Sequence, residues 1–169
     1  MSTQSRTPSI LDPERAEARE HIVELLTRAY WMEIETVMSY IANSVNPDGV
    51  RAQEVIRSLR ADIQEELGHA TQFAERIKEL YGVVPGSEQF AAEQDYLQPP
   101  SDLTDITTVI KGVIQAETGA IDHYANIIAE TEDFDPVTAD MVTAILHDEE
   151  GHRRLFEGFL REYEGGRDD

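Results

Sequence analysis

Apolar residues recur at every third or fourth position in two long segments of the first half of the chain. This is the spacing of helices that bury one face. The first segment opens at Asp12-Pro13, an N-cap residue followed by a proline at the first helical position. Its stripe comprises Ile22, Leu25, Leu26, Ala29, Val37, Tyr40 and Ile41. After a break at residues 46–49, the second stripe comprises Ile56, Leu59, Ile63, Ala70, Phe73, Ile77 and Leu80.

The second half of the chain repeats this arrangement. A third helix is predicted at about residues 103–131, and a fourth from Asp135-Pro136 to about residue 163. Residues 83–102 contain three prolines and no sustained period, which predicts a crossover connection with room for one short helical turn. The fold class is therefore predicted to be all-α, an antiparallel four-helix bundle at residues 12–164 with a long crossover between its second and third helices. Residues 1–11 are predicted to be a flexible N-terminal leader, and residues 165–169 a short acidic tail.

Composition narrows the classes of function. The 34 Asp and Glu residues exceed the 14 Lys and Arg residues, giving a net charge of −20. We therefore expect no nucleic-acid partner. No apolar run or signal sequence is evident, so we expect no membrane association and a cytoplasmic location. The absence of cysteine excludes disulfides and thiolate metal sites. The acidic surface fits either a high-salt cytoplasm or a protein that gathers cations.

Each inward stripe is interrupted by carboxylate or imidazole side chains. The six interrupting residues are Glu33, Glu66, His69, Glu117, Glu149 and His152. Burying four carboxylates without compensation costs several kcal/mol per ion, and no basic residue falls on an inward stripe. Two divalent metal ions would balance the four negative charges. The ligand types suit iron or manganese better than calcium or structural zinc.

An internal repeat strengthens this interpretation. Glu33 and Glu117 are 84 positions apart, and the two Glu-x-x-His pairs that begin at Glu66 and Glu149 are 83 apart. Glu-x-x-His places both side chains on one helix face, about one turn apart. The pattern predicts two similar halves facing one metal site. The alternative is a helical scaffold with a polar core network that needs no metal.

Further residues are predicted to support the site. Glu65 and Asp148 each precede a candidate His by four positions, and they either orient the imidazoles or are ordinary solvated acids. Tyr40 and Tyr124 share the inward face and are either core residues or have a redox or hydrogen-bonding role. Three further histidines fall off the stripes and are predicted to lie on the surface: His21, His123 and His147.

The segment Ile-Leu-His-Asp-Glu-Glu-Gly-His at residues 145–152 resembles the fourth-helix motif of the ferritin-like di-iron carboxylate family, and most closely that of bacterioferritin. The resemblance implies that Glu33, Glu66 and His69 hold one iron ion. It implies that Glu117, Glu149 and His152 hold the other, with Glu66 and Glu149 as bridges. The implied function is iron oxidation and storage or detoxification. In this function, a ferroxidase centre in each subunit oxidises two Fe(II) with O2 or H2O2. The resemblance also implies a homo-oligomer, which forms a cage in this family.

The chain also departs from the bacterioferritin pattern. That family binds haem through a Met directly after the second-helix Glu, and Leu67 stands at this position, so haem is not expected. The cysteine pair of some relatives is absent. These features favour a haem-free or Dps-like relative. The alternative function is a non-storage di-metal peroxidase or oxidase, using iron or manganese, of the rubrerythrin-like or manganese-catalase-like type.

Overall fold

A computed structural model describes residues 8–165 and contains four long helices. They are α1 (Ala16–Val45), α2 (Gln53–Glu79), α3 (Ile106–Thr131) and α4 (Pro136–Gly165). The described part of the chain contains no strand. The predicted fold class, an antiparallel four-helix bundle with a crossover between α2 and α3, is confirmed.

The core has two apolar clusters separated by a polar layer. One cluster includes Leu26, Phe73 and Ile127, and the other includes Leu59, Val113 and Phe156. Helix α1 packs chiefly against α2, and α3 chiefly against α4, while α1 and α3 also contact each other. Few contacts join α2 and α4, so the polar layer is least covered along the α2–α4 side.

The helix boundaries differ slightly from the prediction because of local turn chemistry. Gly49 has a φ of 94°, a conformation that favours glycine, and a 3-10 turn (Val50–Ala52) then precedes α2. Helix α3 begins at Ile106, three residues later than predicted, because the side chain of Asp105 accepts a hydrogen bond from the backbone N–H of Thr108. Helix α4 continues to Gly165.

The crossover is irregular but tightly held. It contains two 3-10 turns (Ser87–Gln89 and Asp95–Leu97), whereas the sequence predicts room for one short helical turn. The carboxylate of Glu35 accepts hydrogen bonds from the backbone N–H groups of Glu93 and Gln94, at 2.9 and 2.8 Å. On α3, a Cβ at Gly112 would lie 2.6 Å from the carbonyl oxygen of Tyr96, so the crossover backbone approaches α3 where only glycine fits. The crossover therefore fixes the outer side of α1 and α3.

Three predictions about individual residues are wrong. Ile41 was assigned to the inward stripe but is 49% exposed, because it is rotated about 100° from Tyr40 on the helix. His123 was assigned to the surface but is buried, with its Nε2 2.9 Å from the carbonyl oxygen of Leu25. The sequence places no basic residue on an inward stripe, yet Arg76 on α2 is buried and pairs with Asp135 at 2.9 Å. His21 and His147 are exposed as predicted.

The chain ends are described only in part. Residues 1–7 and 166–169 lie outside the described residues, and with them most of the predicted leader and tail. Ile10, which is in the described part of the leader, is buried against the bundle. Within residues 8–165, no helix has the length and apolar character needed to cross a membrane.

Candidate metal centre

The six predicted residues meet in the polar layer at the middle of the bundle. Glu33 comes from α1 and Glu117 from α3, while α2 and α4 each contribute a Glu-x-x-His pair on one helix face. All six residues are at most 9% exposed. The two apolar clusters lie on either side of this layer.

The side chains form two overlapping groups of ligand atoms. Glu33 and His69 join Glu66 and Glu149 in one group, and Glu117 and His152 join the same two glutamates in the other. Within each group, the ligand atoms lie within 4.8 Å of one another. Glu66 and Glu149 therefore belong to both groups.

Within residues 8–165, the carboxylates of the cluster are not paired with a Lys or Arg side chain. Their ion-pair contacts are all with His69 and His152. Burial raises the pKa of Glu33 and Glu117 well above the usual value, and the neighbouring carboxylates raise it further.

The imidazoles of His69 and His152 lie against the carboxylates and stabilise their negative charge. Burial alone would lower the pKa of His69 and His152, but Glu149 and Glu66 raise it to about 10 and about 12, respectively. Burial also disfavours the charged form of Glu149, yet contacts with His152 and His69 lower its pKa to about 2. The raised pKa values of the two imidazoles thus reflect the close carboxylates, and the lowered pKa of Glu149 reflects the close imidazoles.

Several buried atoms of the cluster lack hydrogen-bond partners. They are both carboxylate oxygens of Glu66, Oε1 of Glu149 and the Nδ1 atoms of His69 and His152. His69 Nδ1 lies 2.9 Å from Glu149 Oε1, and His152 Nδ1 lies 3.2 Å from Glu66 Oε1, without the alignment of hydrogen bonds. Unsatisfied polar atoms are rare in a protein interior. Their oxygen and nitrogen types and convergent placement suit divalent transition-metal ions as ligands.

Two outer carboxylates hold the imidazoles in a crossed arrangement. His69 of α2 contacts Asp148 of α4 through Nε2 at 3.2 Å, and His152 of α4 contacts Glu65 of α2 through Nε2 at the same distance. Of the two interpretations considered for Glu65 and Asp148, these contacts support the orienting role over that of ordinary solvated acids. They leave each Nδ1 facing the centre, as metal-binding imidazoles require.

Two buried tyrosines make a second pair of crossed contacts. The hydroxyl of Tyr40 on α1 donates to Glu117 on α3, and that of Tyr124 on α3 donates to Glu33 on α1. Burial and the nearby carboxylates raise the pKa of both tyrosines well above the usual value, so they remain protonated donors. Of the two roles considered for them, the geometry supports hydrogen bonding that fixes one oxygen of each terminal glutamate.

The sequence interpretation missed one carboxylate at the edge of the cluster. Asp62 is 8% exposed, its Oδ2 has no hydrogen-bond partner, and its Oδ1 lies 3.9 Å from His152 Nε2. Burial raises its pKa to about 6. Its position four residues before Glu66, on the same face of α2, was the signal that could have found it.

The helices and the carboxylate–histidine cluster define a four-helix bundle protein whose central polar groups could hold metal ions. Residues 23–165 match the family described as the ferritin-like domain, and the chain belongs to this family.

Relatives support the same assignment. The chain is 32% identical to the DNA protection during starvation protein of Pyrococcus furiosus, over 83% of this chain and 77% of that protein. Its fold is similar to that of a dodecameric thioferritin from Bacteroides fragilis, with a TM-score of 0.82 and 23% identity, over 92% of this chain and 97% of that one. The bacterioferritin of Desulfovibrio desulfuricans, a protein with a diiron site, gives a TM-score of 0.77 and 21% identity, over 91% and 86% of the two chains.

Proposed function

We propose that this protein binds two Fe(II) per chain in the central cluster and oxidises them with O2 or H2O2. We further propose that the product is stored or detoxified in a homo-oligomer. Glu33, Glu66 and His69 would hold one ion, Glu117, Glu149 and His152 the other, and Glu66 and Glu149 would bridge them. Ferroxidase activity, iron as the metal and the count of two ions are all parts of this proposal.

The two overlapping ligand groups that share Glu66 and Glu149 carry the proposal. A single metal would leave one of these groups without a cation, while two divalent ions neutralise all four carboxylates. The unpartnered atoms of the cluster are of the types that bind iron and manganese. A polar network without metal would be expected to satisfy its own hydrogen bonds.

The surrounding residues prepare the cluster for Fe(II) as a substrate. Tyr40 and Tyr124 fix the terminal glutamates, while Asp148 and Glu65 fix the imidazoles. Metal ions bind these ligands in their deprotonated forms, so Fe(II) binding is accompanied by release of protons. Two Fe(II) then supply the two electrons that, with two protons, reduce O2 to H2O2, or H2O2 to two water molecules.

Native mass and iron loading test the proposed function against its alternative. We expect an oligomer larger than a dimer that takes up many more than two iron ions per chain after repeated aerobic additions. A small assembly that turns over peroxide and retains only two ions per chain would favour the non-storage di-metal enzyme instead. Metal analysis of protein purified without added metal distinguishes iron from manganese.

Removing the negative charge of an outer carboxylate, Asp148 or Glu65, is expected to weaken Fe(II) binding without abolishing it. Replacing Asp148 with Asn, or Glu65 with Gln, weakens the acceptor that orients one imidazole while keeping all six proposed ligands. We expect Fe(II) affinity to fall by about 10–100-fold, the usual cost of removing a partner of a metal-binding His. Glu75→Gln, an exposed change on α2, is the matched control. Anaerobic titration measures the affinity, and unchanged binding in both variants would contradict the orienting role.

Haem binding is expected to be absent. Leu67 is 43% exposed on α2 and has no atom that can bind iron. Titration with haemin should therefore give no bis-methionine absorption spectrum, and Leu67→Met serves as the variant that restores a donor at this position. A bis-methionine spectrum in the unmodified protein would show that another methionine performs this role.

A further inference from the structure

The connection between α1 and α2 contains the dipeptide Asp48-Gly49, and no other Asp in the sequence is followed by glycine. No Asn is followed by glycine either. Both residues are exposed and lie between the end of α1 and the 3-10 turn before α2. In such a dipeptide, the nitrogen of the second residue attacks the carboxyl group of the first with no side chain to hinder it. The connection is therefore a candidate site of covalent rearrangement.

The conformation of Gly49 leaves its nitrogen open to this reaction. Gly49 has a φ of 94° and a ψ of 162°, and a Cβ at this position would meet no atom beyond its two chain neighbours within 4 Å. The carbonyl oxygen of Gly49 accepts a hydrogen bond from the N–H of Ala52. Within residues 8–165, however, the N–H of Gly49 donates to no partner. The nitrogen that must react is therefore neither covered nor held by a hydrogen bond.

The carboxyl group of Asp48 is also free to react. The backbone N–H of Asp48 donates to the carbonyl oxygen of Leu103 at 2.8 Å and ties the connection to the segment before α3. In the described part of the chain, by contrast, the Asp48 side chain forms neither a hydrogen bond nor an ion pair. The rotamers of an exposed side chain interconvert within about ps–ns. Nothing in the turn therefore holds the carboxyl group away from the nitrogen of Gly49.

The other aspartates of the chain show what this site has that they lack. Asp102 is also exposed in a loop, but its carboxylate accepts hydrogen bonds from the N–H and the hydroxyl of Thr104, and a leucine follows it. Asp12 and Asp135 precede prolines, whose nitrogen has no hydrogen to lose. Aspartates inside the helices, such as Asp148, precede residues whose N–H groups take part in helical hydrogen bonds.

We propose that the Asp48–Gly49 bond of the folded protein rearranges to an isoaspartyl bond. The nitrogen of Gly49 loses its proton and attacks Cγ of the protonated Asp48 carboxyl group. A C–N bond forms, a C–O bond breaks and water leaves, which gives a five-membered succinimide ring. Water then adds to one of the two ring carbonyls. Addition at Cγ restores aspartate, whereas addition at the former backbone carbonyl leaves Gly49 joined to Cγ.

The rearrangement alters the connection without altering its charge. The water lost in the first step is regained in the second, so the reaction needs no oxidant or other reactant and the mass is unchanged. One carboxylate remains, but the backbone gains a methylene carbon between Asp48 and Gly49. The insertion lies beside the N–H that binds Leu103, so we expect the connection to hold the segment before α3 less firmly. The inference goes beyond the proposed function, because none of these residues is a proposed metal ligand.

Ageing of the folded, metal-free protein at neutral pH tests the proposal. The probe is a protein isoaspartate carboxyl methyltransferase with a labelled methyl donor, which labels isoaspartyl residues and not ordinary aspartate. We expect label to accumulate with time in the parent protein and in Asp102→Glu, the matched exposed control. Label should be lost in Asp48→Glu, because the longer side chain must close a less favourable six-membered ring. It should accumulate faster in Asp48→Asn, because ammonia leaves the amide more readily than water leaves the carboxyl group.

Equal labelling of the parent protein and Asp48→Glu would overturn the proposal. Labelling that appears only when the protein is aged unfolded in urea would also overturn it, because the folded turn would then protect the bond.

Peptide mapping and thermal unfolding of the aged protein give independent readouts. A protease that cleaves before aspartate does not cleave before isoaspartate, so we expect progressive loss of cleavage before residue 48 with no change in mass. Complete cleavage there after ageing would refute the assignment to this connection. We also expect ageing to lower the unfolding midpoint of the parent protein but not that of Asp48→Glu. Equal changes in the two proteins would refute the weakened hold on the segment before α3.

Discussion

Replacing Glu66 or Glu149 with glutamine is expected to abolish rapid oxidation of Fe(II). Each of these carboxylates belongs to both ligand groups, so its loss would affect both of the proposed metal positions at once. The substitution keeps the shape of the side chain but removes a negative charge that two cations would share. We expect the initial rate to fall by more than the roughly 10–100-fold that loss of an outer partner costs. Stopped-flow absorbance with two Fe(II) added per chain measures this rate.

Glu150→Gln is the matched control for these variants. Glu150 is adjacent to Glu149 on α4 but is exposed, so the substitution removes the same charge from the same helix without touching the cluster. We expect its oxidation rate to equal that of the parent protein. Parent-like rates in Glu66→Gln or Glu149→Gln would show that the chemistry takes place elsewhere.

Replacing Arg76 with methionine is expected to destabilise the bundle strongly. The Arg76 guanidinium donates to the Asp135 carboxylate, the Thr138 hydroxyl and Glu79, and so joins α2 to the start of α4. Methionine fills most of the volume but leaves Asp135, which is 1% exposed, without its cation. Breaking a buried ion pair by removing one partner costs about 3–5 kcal/mol. Urea unfolding of the metal-free protein, followed by circular dichroism, measures the change.

Arg57→Met provides the comparison on the same helix. Arg57 pairs with Glu54 at 3.0 Å, but both side chains are largely exposed. Such surface pairs contribute about 0–1 kcal/mol. If Arg76→Met and Arg57→Met lowered the free energy of unfolding by the same amount, the claim that Arg76 anchors α4 to α2 would be wrong.

The sequence was sufficient to predict the bundle and its polar centre, because both depend on the period of the helix. The inward stripes brought Glu33, Glu66, His69 and their counterparts to one level, and the offsets of 84 and 83 residues predicted that the halves would face each other. The structure brings all six together. The same repeat singled out Glu65 and Asp148 but did not decide between orienting and solvated acids, which the structure resolves through their contacts with the imidazoles.

The features that the sequence did not predict depend on contacts between segments that do not follow the helical period. Glu35 falls off the stripe and is buried only because residues 93 and 94 of the crossover bind it. Arg76 is buried by a partner 59 residues away in the turn before α4. Helical periodicity describes the face toward the bundle axis, so it does not predict where an irregular connection will cover a helix or where a helix end will meet a loop.

Anaerobic titration of the metal-free protein with Fe(II) tests the central claim most directly. Binding at a centre with two shared glutamates predicts saturation at two Fe(II) per chain and loss of this stoichiometry in Glu66→Gln, with Glu150→Gln unchanged. Saturation at no ion or one ion per chain, or an unaltered titration in Glu66→Gln, would contradict the di-iron centre.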